Sequence, residues 1–228
     1  MKMKEAESMA IKIEKLHFSY DSKNPVLNID ELNLRAGEKV FIYGPSGYGK
    51  STLLNLISGV IPAFSGNIEV LGKKLLELSN SERDLLRGSE IGYIFQMFNL
   101  IPYLNVEENI QLSFKINPDR VRGLDVQKQV NDLIVALNLS EHRFKKTYHL
   151  SIGQQQRVAQ ARALVGQPSL IIADEPTSSL DANNSQEFMQ LLINEWEKRK
   201  FTLVFVSHDE RLKKYFDRSI SLPEINKI

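Results

Sequence analysis

Gly44-Pro45-Ser46-Gly47-Tyr48-Gly49-Lys50-Ser51 is the stretch most able to do chemistry, because it fits the spacing G-x-x-x-x-G-K-[ST]. Glycines there let the backbone turn sharply and aim its N–H groups inward. With the start of a following helix, those donors form a nest for an anion. Lys50 can reach β- and γ-phosphate oxygens, Ser51 can set its hydroxyl on Mg2+, and Thr52 is a further phosphate contact. A glycine-rich turn that merely contains a lysine has no reason to lie between a β-rich run and a helical one. This one follows Lys39–Tyr43 (KVFIY) and precedes Leu53, Leu54, Leu56 and Ile57 at helical spacing.

A second cluster lies at 169–176 (SLIIADEP), an apolar strand ending in two carboxylates. Asp174 suits a position holding Mg2+ through water, and Glu175 suits a base that orients an attacking water. Alternation of strand side chains predicts that the two carboxylates point different ways. Alone, an acidic pair after a strand is usually a solvated turn. Beside a phosphate cradle it supplies the second half of a nucleotide site.

The elements that must position these groups follow from periodicity. Residues 10–35 read as strands, with Ile11, Ile13, Leu16, Phe18 and Tyr20, a turn over 21–25, and renewed alternation at 31–34 before Ala36-Gly37. Strands are also expected at 67–71, 91–95, 170–173 and 202–206, and helix at Val126–Leu139, inside a mostly helical stretch over 97–164. Strands alternating with helices imply an α/β fold with a mostly parallel sheet, whose chemistry sits in loops beyond the carboxyl ends of its strands.

With those motifs in hand, the chain resembles the ABC ATPase family over nearly its whole length. Leu150-Ser151-Ile152-Gly153-Gln154 looks like the family signature, continued by Gln155-Gln156-Arg157-Val158-Ala159. Gln96 looks like the Q-loop glutamine, Ser179-Leu180-Asp181 like the D-loop and His208 like the switch histidine. Tyr20 falls where the family sets an aromatic ring against adenine, although a lone tyrosine is also an ordinary strand residue.

The resemblance implies a P-loop NTPase core within a single domain over 1–228. The core with an N-terminal antiparallel β subdomain would span 10–95 and 165–222, and the inserted helical subdomain 97–164. It implies that Ser151, Gly153 and Gln154 meet the γ-phosphate of ATP held by another subunit, with Ser151 capping the signature helix. It further implies that His208 donates to that phosphate, Gln96 senses it or Mg2+, and Asp181 touches the opposite cradle. Two Mg-ATP would thus join two ATPase subunits, identical or not. Two residues depart from the family pattern: Tyr48 stands where a small residue is usual, and Ile152 replaces the first signature glycine.

Residues 95–110 (FQMFNLIPYLNVEENI) and 78–91 are most similar to ATPases of lipoprotein release, macrolide and peptide export, and related mechanotransmission complexes. Amino-acid importers and cell-division complexes share much of that segment and stay open as alternatives. In each case the partner is an integral membrane, permease-type subunit, and the ATPase sits peripherally on the cytoplasmic face.

Composition agrees with that reading. A net charge of +1 gives no field favouring nucleic acid, and no cysteine is present for disulfides or thiolate metal sites. The first residues, MKMKEAESMAIKIEKL, lack the apolar run of a secretory signal. Nowhere is there a run of the ~20 apolar residues that a spanning helix needs. A soluble chain is expected, reaching the membrane through its partner.

Overall fold

The computed structural model describes residues 8–21, 23–61, 65–117, 123 and 125–228. The first seven residues, Ser22 of the expected turn, and 118–122 and 124 of the helical stretch lie outside the described residues.

The chain begins with two long strands, β1 (Met9–Ser19) and β2 (Pro25–Arg35), paired antiparallel. Strand β4 (Ser65–Val70) pairs with the other edge of β1, and the short β5 (Lys73–Lys74) completes an antiparallel sheet in the order β2-β1-β4-β5. The second sheet is parallel throughout. It comprises β3 (Lys39–Tyr43), β6 (Ile91–Ile94), β7 (Leu170–Asp174), β8 (Thr202–Val206) and β9 (Arg218–Ser221), in the order β6-β7-β8-β3-β9. The expected antiparallel and parallel parts are therefore both present.

The helices are α1 (Lys50–Ile57), α2 (Asn80–Glu90), α3 (Val106–Ile116), α4 (Val126–Ala136), α5 (Ile152–Leu164), α6 (Ala182–Arg199) and the short α7 (Leu222–Ile225). Three details differ from the sequence reading. Leu71 is left-handed (φ 50) rather than extended, so β4 closes at Val70. Among the described residues, the stretch 97–164 is helical only in α3, α4 and α5, with short 3-10 turns at Ser140–His142 and Thr147–His149 between α4 and α5. Strand β9 and helix α2 were not anticipated.

The parallel sheet divides two apolar cores, and strand alternation assigns residues to each. Val40 and Ile42 of β3, Leu170 and Ile172 of β7, and Val204 and Val206 of β8 face the antiparallel sheet and α1. The intervening Phe41, Ile171, Ala173, Leu203 and Phe205 face α3, α4, α5 and α6. Burial on both faces explains why these strands read as unbroken apolar runs. The second core is continuous from the sheet into α3, α4 and α5, so the helical block is seated on the sheet rather than built around a core of its own.

Candidate functional site

Four parallel strands deliver their carboxyl ends to one rim. β3 leads into the glycine loop, β7 into Asp174 and Glu175, β8 into His208, and β6 into Gln96. Above that rim opens a cleft of about 540 Å3 lined by Tyr20, Val26, Ser46, Gly47, Gly49, Lys50, Ser51, Thr52, Gln96, Glu175 and His208. Residues separated by more than 160 positions, such as Ser46 and His208, thus meet because parallel strands end together.

The loop carries the expected backbone. Gly49 has φ +88, and a side chain there would press against Leu27 Cδ2 at 2.9 Å and Val26 O at 3.1 Å. Helix α1 then starts at Lys50 with no side-chain cap, leaving its first N–H groups for a ligand. Lys50 is buried, and its Nζ donates to the carbonyls of Gly44 (2.8 Å) and Pro45 (3.0 Å). Glu175 Oε1 stands 3.8 Å away. Tyr48 is exposed at the tip of the loop.

Asp174 ends β7 and Glu175 leaves it with φ 47, its N–H bonded to Val206 O. The two carboxylates have different neighbours, Ser51 for Asp174 and His208 for Glu175, and the left-handed residue at 175 turns the chain out of the strand. Glu175 Oε2 lies 2.8 Å from His208 Nδ1 and accepts the backbone N–H of His208 at 3.4 Å. Burial pushes the Asp174 carboxyl above its ordinary pKa. The Ser51 hydroxyl and Lys50 pull it back down, while Glu175 adds to the rise. Asp174 Oδ1 is buried with no hydrogen-bond partner.

Tyr20, just beyond β1, is 64% exposed; its hydroxyl meets Thr52 Oγ1 at 3.2 Å and its ring stands edge-on to Phe18. One ring face is thus open at the cleft's rim.

The remaining candidates do not line this cleft. Ser151 caps α5 in a capping box: its hydroxyl accepts Gln154 N–H at 3.3 Å, and Gln154 Oε1 accepts Ser151 N–H at 3.0 Å. Gln154 Nε2 lies 2.8 Å from His142 Nε2, so its whole amide is engaged within the chain. Asp181 caps α6, taking Asn184 N at 2.8 Å and Nδ2 at 2.7 Å. Gly153 lets α6 approach, since a Cβ there would stand 2.8 Å from Asn184 Oδ1. The signature and Asp181 therefore form a second, neighbouring constellation. His142 and Asn184, which hold it, went unnoticed in the sequence. The capping box S-x-x-Q and the Asp-x-x-Asn pattern were the available signals.

A P-loop between β3 and α1, an acidic strand end and a capped helix offered elsewhere define a nucleotide-binding ATPase cassette. The chain belongs to the ABC transporter family, whose model matches residues 27–178. It is 35% identical to a lipoprotein-releasing system ATP-binding protein, LolD, of Hydrogenovibrio crunogenus, over 94% of this chain and 93% of that protein. It is 40% identical to the ABC transporter ATP-binding protein MJ0796 of Methanocaldococcus jannaschii, over 85% and 83%. A dimeric MJ0796 structure in a post-hydrolysis state, bound to ADP and Pi, superposes with TM-score 0.81 at 34% identity, covering 92% of this chain and 93% of that one. Another similar structure, at TM-score 0.82 and 30% identity over 94% and 85%, is cbiO1 of Clostridium perfringens, part of the complex cbiONQ. The chain is therefore an ATP-binding subunit of ABC type and an ATPase. No helix among the described residues is long and apolar enough to cross a membrane.

Proposed function

We propose that two copies of this chain, or one copy and a second ATPase subunit, close around two ATP molecules and drive a permease-type membrane partner. The observation that carries this is a separation. The cleft gathers Lys50, Gln96, Glu175 and His208, but the helix start at Ser151 of the same chain is not part of its lining. A γ-phosphate in the cleft is completed by that helix start only from a second subunit. The dimeric relative bound to ADP and Pi supports the arrangement.

Each residue then has a task. The loop from Gly44 to Gly49 and the start of α1 bind phosphate oxygens, with Lys50 turning from its carbonyls to them. Tyr20 stacks its open face on the purine. Glu175 orients the attacking water and takes up its proton, aligned by His208, whose exposed ring also reaches the γ-phosphate. Ser151, Gly153 and Asp181 act on the opposite subunit, and Gln154 holds the cap that keeps Ser151 in place.

Mg2+ fits this site: a hard divalent cation suits the unpartnered, buried Asp174 Oδ1 beside the Ser51 hydroxyl, with Gln96 at the same cleft. When bound, it would supply charge neutralisation at the β- and γ-oxygens.

The segment 97–164 serves as the inserted signature subdomain. Beside Gln96, Met97 and Tyr103 are 80% and 69% exposed and suit a short apolar helix of the membrane partner. The similarity to LolD supports a lipoprotein-release, export or mechanotransmission role at the cytoplasmic face of the membrane. Size-exclusion of Glu175→Gln with saturating ATP tests the reading. A stable ATP-dependent dimer is expected, and a folded, nucleotide-loaded monomer in the presence of the membrane partner would refute it.

A further inference from the structure

Arg162 lies in α5, ten residues beyond Ile152 and so about 15 Å along the helix from the signature. Its guanidinium crosses to the loop after β6, where Nη1 donates to Asn99 O at 2.5 Å and Nη2 to Phe98 O at 2.6 Å. Those carbonyls are presented together because Phe98 and Asn99 are both left-handed, with φ 55 and 49. Asn99 tolerates such backbone, but Phe98 does not, so the turn is held against preference at Phe98. Phe98 N–H bonds back to Phe95 O and Asn99 N–H to Met97 O, closing a tight turn around Gln96.

Arg162 forms no ion pair among the described residues, and burial alone pulls its pKa below the usual arginine value. A cation removed from water without an anion is costly unless its donors are met. Here two of its five N–H donors meet carbonyls that the left-handed turn presents together. The forked geometry of a guanidinium matches two adjacent acceptors, which a lysine ammonium cannot do in the same way.

We propose that Arg162 is the positioning residue that locks the 95–99 turn to α5, so that Gln96 enters the cleft and the signature helix moves with it as one body. Change at the cleft then reaches α5 through this side chain as well as through the packing of β6 on that helix. The kinetic part rests on the reading of Gln96 as a working group of the cleft.

Arg162→Met and Arg162→Lys test it, each checked for a cooperative melt, alone and combined with Gln96→Ala. Hydrogen exchange should rise by on the order of tenfold at the amides of Phe98 and Asn99 in Arg162→Met, with β6 unchanged. The kcat should fall by on the order of tenfold, with nucleotide affinity kept within about twofold, and the loss should vanish when Gln96 is already Ala. Arg162→Lys, which keeps charge and bulk, should show the same pattern more weakly. Unchanged exchange in the turn, or kinetic losses that add fully to those of Gln96→Ala, would overturn the proposal. A full rate in Gln96→Ala alone would sink the reading of Gln96 instead, and turn exchange would still decide whether Arg162 is the lock.

Discussion

His208 Nδ1 and Glu175 Oε2 stand 2.8 Å apart, and the same carboxylate oxygen also faces the His208 backbone N–H. The ring is largely exposed while the carboxylate is enclosed, which in the proposed mechanism makes the histidine an outer brace on an inner base. His208→Ala should therefore lower kcat by roughly a hundredfold while ATP-dependent association persists. Steady-state ATPase assays beside size-exclusion measure both. A variant that hydrolyses normally would remove His208 from the mechanism.

Ile152 opens α5 with 54% of its surface exposed, directly after the Ser151 cap. Its branched Cβ stiffens the backbone where, in the proposed dimer, N–H groups approach a phosphate. Ile152→Gly should raise turnover by roughly threefold, about 0.6 kcal/mol off the barrier, despite glycine's poorer helix propensity. Equal or slower turnover at saturating ATP would contradict this.

Asp174 gives a pH-dependent prediction. Burial raises its folded pKa above the ordinary aspartate value of 3.8, so the fold holds its proton more tightly than the unfolded chain does. Its contribution to stability is intact below that value and is lost as pH rises through the folded pKa. Asp174→Asn should then melt higher than the parent without nucleotide, with a margin that widens as pH is raised from about 4. Thermal melts across that range decide it, and a constant margin would show that ionisation of Asp174 has no part in it.

Gln160 is fully buried in α5, and neither its Nε2 nor its Oε1 has a hydrogen-bond partner. Leucine has similar reach and no polar atoms to strand. Gln160→Leu should stabilise the chain by about 1 kcal/mol, raising the midpoint by roughly 2–4 °C. A lower midpoint would mean that the amide is satisfied in solution.

Much of this architecture was legible because its signals are local. β3, β7 and β8 are buried on both faces, so each is an apolar run bounded by turn residues. The cradle and Glu175 are legible because phosphate chemistry demands fixed residue types at fixed spacing. β9 reads RSIS and buries only Ile220, because it is the sheet's edge strand, so periodicity had little to detect. Helix α2 buries only Leu86; its clearest mark was the capping box of Ser79 with Glu82. The Glu175 turn, the His142–Gln154 contact and the Arg162 clamp depend on segments meeting in space, and no spacing along the chain encodes them.

The Lys50 ammonium already has two oxygens of its own loop to hold. Phosphate oxygens can replace these carbonyls one at a time, because an ammonium has three donors to share. The resting grip thus keeps the ammonium in place beside the loop, so that ligand entry exchanges its partners without recruiting it from solvent.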